Sequence, residues 1–129
     1  MWDDDAMAES PEQTHVSFQQ AFNRHDLDAL AAMYEPDAVM AGAGGPAQGV
    51  DAIRELLRGF LALRPTIEMK TLGVNRAGNL ALLHSKWTIQ GTGPDGSEVH
   101  LEGRSAETVR LQPDGRWLIV IDNPSVPWD

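Results

Sequence analysis

Apolar residues recur along this chain at two different periods, and the change from one to the other falls at Pro65. Before it the spacing is helical. Ser10-Pro11-Glu12-Gln13 has the form of a capping box, with proline at the first helical position. It predicts a helix whose inner face carries Phe18, Ala21, Phe22 and His25. Asp26 then offers a second N-cap, and Leu27, Leu30, Ala31 and Tyr34 repeat at helical spacing until Pro36 disfavours helix at Glu35. Residues 37–41 read as a short strand. The Gly-rich stretch over residues 42–46 reads as a loop, placed as a flexible lid or rim. A third helix is predicted over residues 49–64, with Val50, Ile53, Leu57 and Phe60 on one stripe and Pro65 closing it.

After Pro65 the period is two. A strand is expected over residues 66–74, with a slip in apolar phase between Met69 and Leu72 that suggests a β-bulge. Turn signals at residues 75–79, 91–97 and 112–115 separate it from strands over residues 80–90, 98–111 and 116–123. Three helices with one short strand among them, followed by a four-stranded antiparallel meander, make an α+β domain. Its expected extent is residues 10–124, between a disordered acidic tail over residues 1–9 and a short tail over residues 125–129.

Composition narrows what such a domain does. The chain has 129 residues, 42% of them hydrophobic and 22% charged, as in a globular protein. Its net charge of −9 opposes phosphate backbones, and Lys and Arg form no cluster along the chain, so nucleic acid is not an expected partner. No apolar run approaches the ~20 residues that span a bilayer, so no membrane is expected either. The absence of cysteine excludes disulfides and thiolate chemistry, and with the acidic start it fits a cytoplasmic protein. His15, His25 and His100 lack metal-ligand spacing, and no phosphate-binding or dinucleotide glycine motif is present. Neither metal nor cofactor is expected.

Particular residues within this order carry a resemblance. Phe22-Asn23-Arg24-His25-Asp26-Leu27-Asp28-Ala29-Leu30, Met33-Tyr34-Glu35-Pro36-Asp37-Ala38-Val39 and Gly49-Val50-Asp51-Ala52-Ile53-Arg54 occur in sequence. Pro113-Asp114-Gly115-Arg116-Trp117 and Ile121-Asp122-Asn123-Pro124 close the chain. Together they resemble the nuclear transport factor 2-like superfamily, in its SnoaL-like and ketosteroid-isomerase-like branch. The resemblance implies a cone, with a curved antiparallel sheet wrapped around three N-terminal helices and a small-molecule pocket between them. It also implies dimerisation, which related domains commonly achieve through the outer face of the sheet. It does not imply one reaction. Against the isomerase pattern, the first-helix tyrosine falls at Phe18 and the base at about Gly42, neither able to do the chemistry. Only the third position survives in kind, as Glu107.

Strand alternation indicates what could still face a pocket. Over residues 98–111, Leu101, Gly103, Ser105, Glu107 and Val109 share one face, largely apolar and placed inward. An acid there is paired, kept protonated or functional. Over residues 80–90, Trp87 faces inward as pocket wall and His84 outward. On the last strand Trp117, Ile119 and Ile121 share one face, opposite Leu118, Val120 and Asp122. Asp122 either organises the following turn or stands at the cone's rim as a second acid. Glu107 and Asp122 are thus the candidate catalytic groups. Phe18, Phe22, Tyr34, Met40, Phe60, Trp87 and Ser105 are the candidate contacts to a small apolar organic ligand. With apolar residues on both faces, the last strand suggests a homodimer that covers Leu118 and Val120. Two functions fit: an isomerase-, cyclase- or lyase-type enzyme using carboxylate acid–base chemistry, or a non-catalytic ligand-binding or dimerisation module.

Overall fold

The computed structural model describes residues 8–42 and 44–126. Most of the expected acidic tail lies outside that range, but its last two residues are engaged. Ala8 is buried and its carbonyl accepts from Trp117 N–H at 2.9 Å, while Glu9 N–H donates to Gln13 Oε1 at 3.0 Å. At the other end, Val126 N–H donates to Arg104 O, and residues 127–129 lie outside the described range.

A 3-10 turn over Pro11–Gln13 leads into helix α1, Thr14–Asn23. The capping box forms only in part, because the Ser10 side chain makes no cap hydrogen bond. His25 does not extend the helical face. It adopts a left-handed conformation (φ 56°) just past the helix end, where His25 N–H reaches Phe22 O and Asp26 N–H reaches Ala21 O. This six-to-one and five-to-two pairing stops the helix and satisfies its last carbonyls. Asp26 then caps α2, Leu27–Ala31, by accepting from Ala29 N–H at 3.0 Å. Helix α2 is shorter than its apolar period suggests, and Tyr34 opens strand β1, Tyr34–Met40. Sheet pairing overrides helical spacing there, since Met33 O already accepts from Ile119 N–H at 2.8 Å. Strand β2, Ala47–Gln48, pairs with β1, and helix α3, Val50–Leu61, follows Gly49.

Strands β3 (Thr66–Ala77), β4 (Leu80–Thr92), β5 (Glu98–Leu111) and β6 (Trp117–Asn123) form the meander. The sheet order is β2-β1-β6-β5-β4-β3, antiparallel except for β1 and β6, a parallel pair that alternation along the chain does not reveal. The helices fill its concave side, and Phe22, Leu30, Ile53, Leu83, Val109 and Ile119 are almost wholly buried there. Side-chain amides stitch α1 to edge strand β3. Asn23 exchanges two hydrogen bonds with the Ile67 backbone, at 2.7 and 3.0 Å, and Gln19 Oε1 accepts from Met69 N–H at 2.7 Å. These bonds occupy edge groups that would otherwise invite another strand.

Two bulges set which side chains face the helices. The one expected in β3 falls at Leu72, between the pairs Thr71↔Ser85 and Gly73↔His84. The other, at Val120, is not expected from the sequence: the register passes from Val109↔Ile119 to Thr108↔Ile121. An extra residue inverts the alternation beyond it. Asp122 therefore shares the inner face with Trp117 and Ile119, and Ile121 turns outward, contrary to the simple alternation of β6. On the outer face the register aligns Lys70, Lys86 and Arg104 across three strands, beside a row carrying Glu68 and Glu102. This basic row comes from residues far apart in the chain.

Candidate functional site

Between the helices and the inner sheet face lies a cleft with about 630 Å³ of empty space, its mouth included. On the helix side, the Phe18 and Phe22 rings stack with centroids 5.9 Å apart, and Phe60 stands further along the wall. On the sheet side, Met40, Trp87 and Ser105 line it. The Trp87 indole packs against Gly103, where an added Cβ would sit 2.7 Å from Cζ2, and its Nε1–H donates to Pro124 O at 2.8 Å. Glycine at position 103 is thus what lets the aromatic wall form.

The polar groups gather at one end. Glu107 on β5 and Asp122 on β6 are cross-strand partners, both lining the cleft and only 4% and 5% exposed. Among the described residues no arginine pairs with Glu107. Its Oε1 lies 2.7 Å from His15 Nε2, and His15 Nδ1 lies 2.7 Å from Thr71 Oγ1. With Glu107 ionised, His15 donates to it through Nε2–H. Both imidazole nitrogens are thereby engaged within the protein. Asp122 Oδ2 accepts from the Tyr34 hydroxyl at 2.7 Å. Ser105 Oγ and Ser85 Oγ share a hydrogen bond of 2.5 Å just beside the acids.

Burial pushes the Asp122 carboxyl up to about 7, the negative Glu107 opposite adds to the rise, and the Tyr34 hydrogen bond opposes it. Burial likewise holds the Tyr34 hydroxyl well above its ordinary range, with the nearby carboxylates adding to this. Tyr34 stays a neutral donor. A carboxyl balanced near neutrality at the end of an apolar cleft can give or take a proton, which an exposed aspartate at the same pH cannot do efficiently. Among the described residues no group of acids and histidines is arranged to hold a metal ion.

Of the residues singled out from sequence, Phe18, Phe22, Met40, Phe60, Trp87, Ser105, Glu107 and Asp122 all line this cleft. Tyr34 does not; it stands behind Asp122 as its hydrogen-bond donor. Asp122 leaves the Asx-type turn to Asn123, whose Oδ1 accepts from Ser125 N–H. Of the polar cleft residues, sequence reading passed over Thr14 and, at the acid pair itself, His15, only 3% exposed. It lies three and seven residues before Phe18 and Phe22, on the same helical stripe, so the pattern that found the two phenylalanines also contains it.

The arrangement is that of an α+β cone with a buried carboxylate pair at the end of an apolar cleft. The sequence model of the SnoaL-like domain matches residues 15–120, and the chain belongs to that family. Among curated proteins none matches it in sequence. Solved structures with the same fold include a ketosteroid isomerase-like protein from Erwinia carotovora atroseptica, with a TM-score of 0.76 at 20% identity over 98% of this chain and 100% of that one. A nuclear transport factor 2-like superfamily protein from Salmonella enterica superimposes with a TM-score of 0.76 at 18% identity, over 91% and 88%. An NTF2-like protein with a cystatin-like fold from Novosphingobium aromaticivorans gives 0.73 at 18%, over 88% and 77%. At these identities the likeness is one of fold. Among the described residues no helix is long and apolar enough to cross a membrane.

Proposed function

We propose that this protein is a cofactor-independent acid–base enzyme, of the isomerase, cyclase or lyase type, acting on a small, mostly apolar organic carbonyl compound. One observation carries the reading: two carboxyl groups face each other, buried, at the end of an otherwise apolar cleft. In this scheme the Asp122 carboxylate takes a proton from the carbon next to the carbonyl. The C–H electron pair passes into an enolate, and Asp122 returns the proton to the same or another carbon, with no net oxidation. Glu107, tied to His15, stays in place as the negative neighbour that makes Asp122 basic enough. Ser105 supplies a hydroxyl at the developing oxyanion. Weight thus shifts from Glu107 to Asp122 as the group that moves the proton.

The assay is deuterium exchange into the α-position of 1-tetralone in D2O, followed by NMR. The parent protein is expected to accelerate exchange, and Asp122→Asn to lose about 100-fold or more of that acceleration. A parent that binds the ketone but exchanges no faster than buffer supports the other reading, a ligand-binding module without chemistry, which the aromatic lining favours. The same proposal places the protein in the cytoplasm, in keeping with its lack of cysteine, as a homodimer through the outer sheet face.

A further inference from the structure

Thr14 stands immediately before His15, lines the same cleft and is 1% exposed. Its hydroxyl is shut away from solvent and has no hydrogen-bond partner among the described residues. The other polar side chains lining the cleft all have one. His15 holds Glu107 and Thr71, Asp122 holds Tyr34, Ser105 holds Ser85, and Trp87 holds Pro124. A helical threonine can turn its hydroxyl back to the carbonyl one turn earlier. Here it does not: Thr14 Oγ1 meets no acceptor among the described residues, that carbonyl included. An unpaired hydroxyl in such a place is unfavourable and uncommon, so a partner from outside the protein is the natural complement.

We infer that Thr14 is a specificity-determining contact, and that the cleft's ligand carries a second oxygen function, a hydroxyl or carbonyl, that hydrogen-bonds to Thr14 Oγ1. The inference rests on the same cleft being the binding site and defines its substrate class more closely. The molecule is largely apolar, with one oxygen at the acid end and another at the helix wall. Thr14 takes no part in proton transfer. It selects between ligands of similar shape, because a site built to meet a hydroxyl discriminates against the analogue that lacks it.

The test measures calorimetric binding of 1-tetralone and its 5-, 6- and 7-hydroxy derivatives to the parent, Thr14→Val and Thr14→Ser. One hydroxy isomer is expected to bind the parent about tenfold tighter than 1-tetralone. Thr14→Val should bring the hydroxy isomer down to the affinity that the same variant has for 1-tetralone, while Thr14→Ser should keep the difference. Absence of any gain in the parent overturns the inference without reference to a variant. So does a gain that survives Thr14→Val, since water or another group then meets the added oxygen. If none of the four ketones binds, this inference and the carbonyl substrate class fall together. If the Thr14-dependent gain appears without Asp122-dependent exchange, the inference stands and the proton-transfer reading falls.

Discussion

A carboxyl buried beside a second carboxyl keeps its proton at a pH where an exposed one has lost it, and that property reaches beyond catalysis to the stability of the fold. Asp122 sits near 7 in the folded protein, against about 3.9 for an unfolded aspartate. Below about 4 it is protonated in both states and its contribution is fully present. Between about 4 and 7 the unfolded chain ionises while the folded one holds its proton, so stability falls as pH rises, and the loss is complete above about 7. Asparagine cannot ionise. Asp122→Asn is therefore expected to melt a few degrees above the parent at pH 8, with the difference shrinking below pH 4, in thermal scans at the two values. An equal difference at both pH values would show that the Asp122 charge is not what destabilises the parent. Such a variant would be steadier and, on the proposed mechanism, inactive, the usual relation between a strained site and its work.

At the scale of the element, strand β5 delivers Ser105 and Glu107 to the cleft and, through Gly103, makes room for the Trp87 ring of β4. A methyl group at position 103 would meet an aromatic ring that is already tied to Pro124, rather than the movable end of a flexible chain. Gly103→Ala is expected to cost about 1–3 kcal/mol in urea unfolding and to weaken ligand binding through the displaced Trp87 wall. A variant with unchanged unfolding midpoint and unchanged affinity would mean that Trp87 is not held as described. The same strand shows why part of the site was legible. Its alternation is unbroken, so Glu107 could be turned inward from sequence alone, along with Ser105. Strand β6 was misread because both its faces are apolar: nothing in Leu118-Ile119-Val120-Ile121 marks the extra residue, and the bulge at Val120 shows only in the pairing. Tyr34 was misread for a similar reason, its helical spacing being overruled by pairing with β6. Contacts between distant segments were beyond reach, above all His15 with Glu107 across 92 positions. Local pattern reports which face a residue takes, not what it meets there.

For the whole molecule, the helices cover one face of the sheet and leave an apolar strip on the other. Ile121 is 49% exposed and Leu82 41%, and they belong to one register row, Asn75–Leu82–Thr108–Ile121, with Leu80 beside it at 41%. These are not the residues expected from alternation. Leu118 is already buried within the single chain and Val120 is half-buried, so neither is the main surface on offer. Exposed apolar side chains gathered on the outer sheet face, in a protein of net charge −9, are better explained by a covering partner than by solubility. A second copy with its strip laid against the first covers all three residues at once, and a two-fold arrangement needs no other surface. Sedimentation at micromolar concentration is expected to give a dimer for the parent and a monomer for the doubly substituted Ile121→Glu, Leu82→Glu protein, with circular dichroism unchanged. Both carboxylates lie on the inner sheet face, opposite the strip, so the monomeric variant should bind 1-tetralone as the parent does. A parent that sediments as a monomer would remove the dimer and leave the cleft untouched, whereas a monomeric variant that loses the ketone would tie the site's integrity to the outer face of its own sheet.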